Sequence, residues 1–237
     1  MTADSSRIPI VRDLPPIERS TGMGASRFQI LYADPPWRLG GSGKGSPPYP
    51  MMATMDICAL PVERLAAPDC ALLLWAVHSH LPDALAVVRA WGFEYKTVAF
   101  TWVKRTPLDT GYFLGRGYWT HSNAEVCLLA TRGRPARVGT GVPSLVVSPR
   151  REHSRKPDEV RERIVRVFGD VPRAELFARQ RVSGWQAWGN EVECDFSLDE
   201  SVKRDRPESS ASPDTPSSPS HSARDPSRSR RVSESGQ

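Results

Sequence analysis

The 237-residue sequence is poor in cysteine and has no long apolar run. Its longest apolar stretch, Cys70–Val77, falls far short of the ~18–20 residues that cross a bilayer. Residues Met1–Arg27 are polar and interrupted by Pro9, Pro15 and Pro16, with no apolar segment of the kind that marks a secretory leader. The four cysteines, Cys58, Cys70, Cys127 and Cys194, form no C-x-x-C pair, and three lie in apolar stretches. That pattern reads as reduced core thiols and argues against a zinc site or a disulfide framework. The expectation is a soluble, cytoplasmic protein with no membrane partner. Hydrophobic residues at 39% and charged residues at 25% exclude collagen-like, coiled-coil and wholly disordered chains. A net charge of +5 is a mild basic bias, compatible with a polyanionic partner without singling one out.

Composition divides the chain. From Ser201 onward serine, proline and arginine dominate, and no aromatic, Leu, Ile or Met occurs. Such a segment buries too little apolar surface to offset its conformational entropy. The expected organisation is a flexible arm over 1–26, a folded domain over 27–195 and a disordered Ser/Pro/Arg-rich tail over 196–237. Its Arg224–Arg231 stretch suits either phosphate contact or simple solubility. Within the domain, strands are expected at Phe28–Ala33, Ala71–Val77, Lys96–Val103, Glu125–Thr131 and Glu175–Ala178. Helices are expected at Leu81–Trp91, with Leu81, Leu85 and Val88 on one face, and at Asp158–Phe168, opened by Pro157 and closed by Gly169. Strands alternating with helices imply a parallel α/β sheet covered on both faces.

Asp34-Pro35-Pro36-Trp37 follows the first expected strand, at the edge where α/β sheets bind ligands. Two prolines stiffen the segment and remove two N–H donors. Asp34 and the Pro35 carbonyl can each accept a hydrogen bond from a planar exocyclic amine, while Trp37 stacks on its ring. Holding both amine protons aims the nitrogen lone pair at an electrophile. The same four residues also suit a tight Asx-type turn with Asp34 as a cap and Trp37 in the core.

This signature resembles that of the methyltransferases that modify the 6-amino group of adenine, in the variant typical of the MTA-seventy family. The resemblance extends in order through Tyr32-Ala33, Leu73-Leu74-Trp75, Ala90-Trp91-Gly92-Phe93, Thr101-Trp102-Val103-Lys104, Ser154–Glu159, Glu175–Arg179 and Trp188–Glu191. It implies an α/β, Rossmann-like class I methyltransferase fold using S-adenosyl-L-methionine, with a mostly parallel sheet and helices on both faces. The catalytic motif would come early and the cofactor motifs late, and indeed no Gly-rich strand-to-helix turn precedes Asp34. By the same resemblance Asp34, Pro35, Pro36 and Trp37 are catalytic, and Asp34, Lys156, Arg179, Asn190 and Glu191 hold the cofactor. Lys156 would meet the methionine carboxylate, and Asn190 and Glu191 the ribose hydroxyls. Gln180–Gly184 is shorter than in eukaryotic members, and Glu191 replaces their usual Gln, which keeps acceptor capacity.

Substrate contacts are expected from Trp37, Tyr49, Lys104, Arg116 and Tyr118. Tyr49 belongs to a Gly/Ser-rich loop, Gly40–Pro50, that lacks the spacing of a phosphate loop. Arg105–Asn123 mixes Tyr112, Phe113, Arg116, Tyr118 and Trp119, a composition that suits either base stacking or loop packing. Arg132, Arg134, Arg137, Arg150, Arg151, Arg155 and Lys156 read as a phosphate track or as a solvated face. His78, His80, His121 and His153 lack metal-ligand companions, and methyl transfer to an amine needs no metal. The expected substrate is nucleic acid, DNA favoured over RNA. The sequence leaves open a homo- or hetero-dimer and a non-catalytic role in binding nucleic acid or scaffolding an active partner.

Overall fold

A computed structural model describes residues 28–38, 50–115, 117, 119–152 and 155–198. Seven strands form one sheet: β1 Phe28–Ala33, β2 Ala66–Ala76, β3 Glu94–Arg105, β4 Ala124–Arg132, β5 Leu145–Pro149, β6 Arg173–Leu176 and β7 Gln186–Trp188. Three α-helices accompany them: α1 Thr54–Cys58, α2 Leu81–Ala90 and α3 Glu159–Phe168. The spatial order is β5-β3-β4-β2-β1-β6-β7. The sheet is mostly parallel, as expected; the one reversal is β4, which runs antiparallel to both β2 and β3, while the remaining pairs are parallel. The chain leaves β3 and re-enters at β4 on the same sheet edge, so no crossover helix is needed there.

Period-2 alternation divides the strands between two cores. Leu31 and Ala33 of β1, Leu72 and Leu74 of β2, and Val126 and Leu128 of β4 face α1 and α2. Ile30, Tyr32, Leu73, Trp75 and Cys127 face α3. Both faces are thus covered, as expected. Pro82 opens α2 in its first turn. Its buried stripe is Ala84, Val87 and Val88, continued by Trp91, and Leu81 is exposed at the rim. That stripe follows the i, i+3, i+4, i+7 rule one turn beyond the predicted face. Val160, Ile164 and Phe168 anchor α3 as expected, and Gly169 ends it at φ 89°.

Three elements escaped the sequence reading: α1, β5 and β7. α1 is five residues long, and β5 and β7, of five and three residues, are the edge strands, too short for a clear period. The last predicted strand, Glu175–Ala178, lies two residues earlier, at Arg173–Leu176, because Phe177 takes φ 59° and leaves the sheet. Phe196 and Leu198, placed by the sequence in the tail, pack on the core, with the Phe196 and Phe28 rings 5.3 Å apart. The arm over 1–26 and the rest of the tail lie outside the described residues. All four cysteines are free. Among the described residues no helix is long and apolar enough to cross a membrane, and no group of metal-ligating side chains occurs.

Candidate active site

The chain passes from β1 to β2 on one side of β1, whereas β6 lies on the other. A crevice therefore opens at the ends of β1 and β6, the switch point where parallel sheets bind ligands. Asp34 emerges there. The residues after it are pinned from both sides. Trp37 N–H donates to the Pro35 carbonyl at 2.9 Å, Met52 N–H to the Pro36 carbonyl at 2.8 Å, and Arg38 N–H to the Met52 carbonyl at 3.1 Å. The Trp37 indole is 7% exposed and donates Nε1–H to the Trp75 carbonyl at 3.0 Å. Trp75 Nε1–H in turn donates to the Tyr32 hydroxyl at 2.6 Å. Such buried aromatic N–H groups need acceptors, and each that is met fixes a ring.

Behind Asp34 lies a row of alternating charges. Lys156 Nζ donates to Oδ1 and Oδ2 of Asp34 at 2.8 and 2.7 Å, and it lies 3.1 Å from Oε2 of Glu125. Lys104 Nζ bonds the other oxygen of Glu125 and lies 4.9 Å from the centre of the Trp102 ring. Lys156 and Glu125 are 8% and 7% exposed at the side chain. Burial alone would raise the Glu125 carboxyl, yet the Lys156 and Lys104 ammonium groups hold it down to about 2. Burial would likewise favour neutral Lys156, but Asp34 and Glu125 keep it well above the usual lysine range. All four groups are reached from different elements: the β1 end, β4, β3 and the approach to α3.

A cleft of about 130 Å³ adjoins Asp34 and Lys156. Tyr32, Arg161 and Glu175 form its back, and Phe177, Arg179 and Glu191 its rim. Arg161 grips Glu175 with two hydrogen bonds, Nε to Oε2 at 2.7 Å and Nη2 to Oε1 at 2.6 Å. Burial works against the Arg161 charge, and this bidentate pair more than restores it. At the rim, Arg179 Nε and Glu191 Oε1 are 3.8 Å apart. Gly189 makes this meeting possible: a Cβ there would fall 2.2 Å from the Ala178 carbonyl oxygen. Only glycine lets the turn after β7 press against the turn after β6. Phe177, in the left-handed region, turns the backbone over the cleft and sets its ring edge-on to Trp188, 5.4 Å away.

The MT-A70 family model matches residues 28–191, from the first strand to the rim of the cleft. The chain belongs to the MT-A70 family. It is 31% identical over 189 residues to the type II methyltransferase M.MunI of Mycoplasma, a match covering 70% of this chain and 78% of that protein. It is 28% identical to the human N(6)-adenosine-methyltransferase catalytic subunit METTL3, covering 74% of this chain and 30% of that protein. To the human N(6)-adenine-specific methyltransferase METTL4 it is 33% identical, covering 70% of this chain and 37% of that protein. The chain thus spans most of the Mycoplasma relative and well under half of the human ones.

Within the MT-A70 region, the structure brings some of the expected site residues together and places others apart. Asp34 and Lys156 are bonded, and Arg179 faces Glu191 across the rim, with Asn190 exposed beside it. Trp37 is a core anchor, as the alternative turn reading has it, and as folded offers little open ring face for a base. Lys104, expected on substrate, is committed to Glu125. Tyr49, Arg116 and Tyr118 lie outside the described residues. In the aromatic loop, Tyr112 and Phe113 cover the Arg105 and Arg150 guanidiniums at 5.2 and 4.3 Å, whereas Trp119 is 90% exposed. The basic stretch is not one track. Because β4 is reversed, Arg132, Arg134 and Arg137 fall at the end of the sheet opposite Asp34, whereas Arg150, Arg151, Arg155 and Lys156 fall at the Asp34 end, where Arg155 and Lys156 line the cleft. Glu125 and Arg161 were missed by the sequence reading. The one signal for each is a charge set in an otherwise apolar strand or helix face.

Proposed function

We propose that this MT-A70 chain transfers a methyl group from S-adenosyl-L-methionine to the 6-amino group of adenine in nucleic acid, DNA being favoured over RNA. The observation that carries the reading is the Asp34 carboxylate, projected from a doubly pinned segment into the crevice between β1 and β6 and held there by Lys156. The mostly parallel sheet, with helices on both faces and its late elements around the cleft, supports a Rossmann-like methyltransferase architecture. DNA is favoured because the relative matched over most of its own length is a type II methyltransferase. The names of the human relatives support adenine as the base. Free cysteines suit a cytoplasmic setting.

The donor set of the cleft fits a zwitterionic nucleoside. Glu191, with exposed Asn190 beside it, offers oxygens to vicinal hydroxyls, and Arg179 and Arg155 offer cationic groups to a carboxylate. When bound, S-adenosyl-L-methionine would supply an electrophilic methyl group on a sulfonium: the amine nitrogen would bond to that carbon in line as the carbon–sulfur bond breaks, the neutral thioether would leave, and the surplus amine proton would pass to Asp34 or to solvent. Asp34 accepts hydrogen bonds from the amine and offsets the positive charge that grows on its nitrogen. The Pro35 carbonyl, which keeps one lone pair beyond its bond from Trp37, is the second acceptor for that amine. Trp37 N–H holds the Pro35 carbonyl and Lys156 holds Asp34, so orientation costs little at the moment of reaction.

The test is transfer of labelled methyl to unmethylated DNA and to RNA. Label in DNA supports the full reading. Label in RNA alone keeps the reaction and replaces the substrate, and label in neither, with cofactor bound, overturns it.

A further inference from the structure

We propose that Glu125 is a positioning residue of the methyl-transfer reaction, acting through Lys156 to fix Asp34, with Lys104 balancing its charge so that the four side chains work as one unit. The proposal rests on the methyltransferase reading above. A lysine ammonium is a point charge on a flexible four-carbon stem, and one contact to a carboxylate leaves it free to swing. Lys156 has two carboxylate anchors: both oxygens of Asp34 at 2.7–2.8 Å and Glu125 at 3.1 Å. Beneath it lies the Trp75 ring, 5.5 Å from Nζ, itself locked by the Tyr32 hydroxyl. With Lys156 so bounded, the Asp34 carboxylate is held in one orientation at the cleft wall.

Glu125 reaches the cleft through Lys156: it is 5% exposed as a residue, one oxygen meets Lys104 and the other Lys156, and it is not among the side chains that line the cleft. Nor does the fold call for it. Buried ion pairs gain little over apolar packing of equal volume, and Glu125 stands beside Val126, Cys127 and Leu128 in a central strand. A neutral row of two ammonium groups and two carboxylates, ending on the carboxylate at the reaction centre, points to function. Lys104, which the sequence placed on substrate, is on this reading the outer counter-charge.

The experiment uses the full chain and the variants Glu125→Gln, Glu125→Asp, Lys104→Met and the Glu125→Gln/Lys104→Met double. It measures kcat at saturating DNA and cofactor, together with cofactor Kd by calorimetry. Loss of the Glu125 charge lowers kcat roughly ten- to a hundredfold, the scale of one charge-assisted hydrogen bond, with less than about a threefold change in Kd. Glu125→Asp, which keeps the charge, recovers part of that loss. Lys104→Met costs less, and the double variant is no worse than Glu125→Gln. Unchanged kcat in Glu125→Gln overturns the proposal, as does a loss confined to Kd. Additive losses would return Lys104 to the substrate. A second readout stands apart from activity: acetylation of lysine amines followed by mass spectrometry. Lys156 should be protected in the wild type relative to Lys96, whose side chain is 41% exposed, and about tenfold more reactive in Glu125→Gln. Equal labelling of Lys156 and Lys96 in the wild type overturns the network whatever the enzyme transfers. Absence of methyl transfer by the wild type instead overturns the functional reading alone.

Discussion

The two ends of the cleft are built differently. At the inner end Lys156 and Asp34, 8% and 20% exposed, meet at 2.7 Å inside a four-member charge row. At the outer rim Arg179 and Glu191, 23% and 55% exposed, stand 3.8 Å apart across two turns. The inner pair is desolvated and closed, so its geometry is set before any ligand arrives. The outer pair is loose and wet, and exposed pairs of this kind contribute little to stability. On the proposed function the difference is a division of labour: the groups that would orient the amine are preorganised, while the grip on the cofactor is left for binding to complete.

Substitutions break this contrast in a definite order. Asp34→Ala removes the acceptor at the reaction centre and should abolish methyl transfer, by on the order of a thousandfold or more in kcat. Lys156→Met leaves two carboxylates buried without their shared ammonium. A loss of about 3–5 kcal/mol in urea unfolding is expected, with activity falling in parallel. Gly189→Ala forces a Cβ to within 2.2 Å of the Ala178 carbonyl and so displaces the rim. It should raise cofactor Kd about tenfold while leaving kcat at saturation within a few-fold. Glu191→Ala should change Kd several-fold and stability by less than about 1 kcal/mol.

The acid limb of stability sharpens the same comparison. Glu125 is held down to about 2, so it contributes stability that is fully present above its unfolded value of 4.5 and is lost as pH falls toward 2. Lys156 is raised, so its contribution is present below the ordinary lysine range and is lost only when pH rises beyond it. Chemical denaturation across pH should therefore show a Glu125-dependent decline between about 4.5 and 2 that Glu125→Gln lacks. Glu191→Ala should leave that decline in place.

Much of the inner end was legible in the sequence. The rigid Asp34–Trp37 signature after an apolar strand marked the crevice, whereas Lys156, which the sequence placed on the cofactor carboxylate, is bonded to Asp34 in the structure. Phe28–Ala33 and the α3 stripe were readable because their periods are strong and their ends carry Pro or Gly signals. The reversal of β4 was not readable, since an antiparallel strand between parallel neighbours has the same apolar run as they do. That one reversal divided the basic stretch between two sheet edges. Nor could spacing show that Lys104 and Glu125, 21 positions apart, meet across β3 and β4. Trp37 was legible only as a choice between core and site: its buried indole anchors the segment that follows Asp34 and leaves little ring face open.

The most direct test is to identify the nucleoside that carries the new methyl group. Unmethylated DNA incubated with S-adenosyl-L-methionine and either the wild type or Asp34→Ala would be digested to nucleosides and resolved by mass spectrometry. The account predicts N6-methyl-2′-deoxyadenosine from the wild type and none from the variant. Methyl on cytosine, or methyladenine made equally well without Asp34, would contradict it.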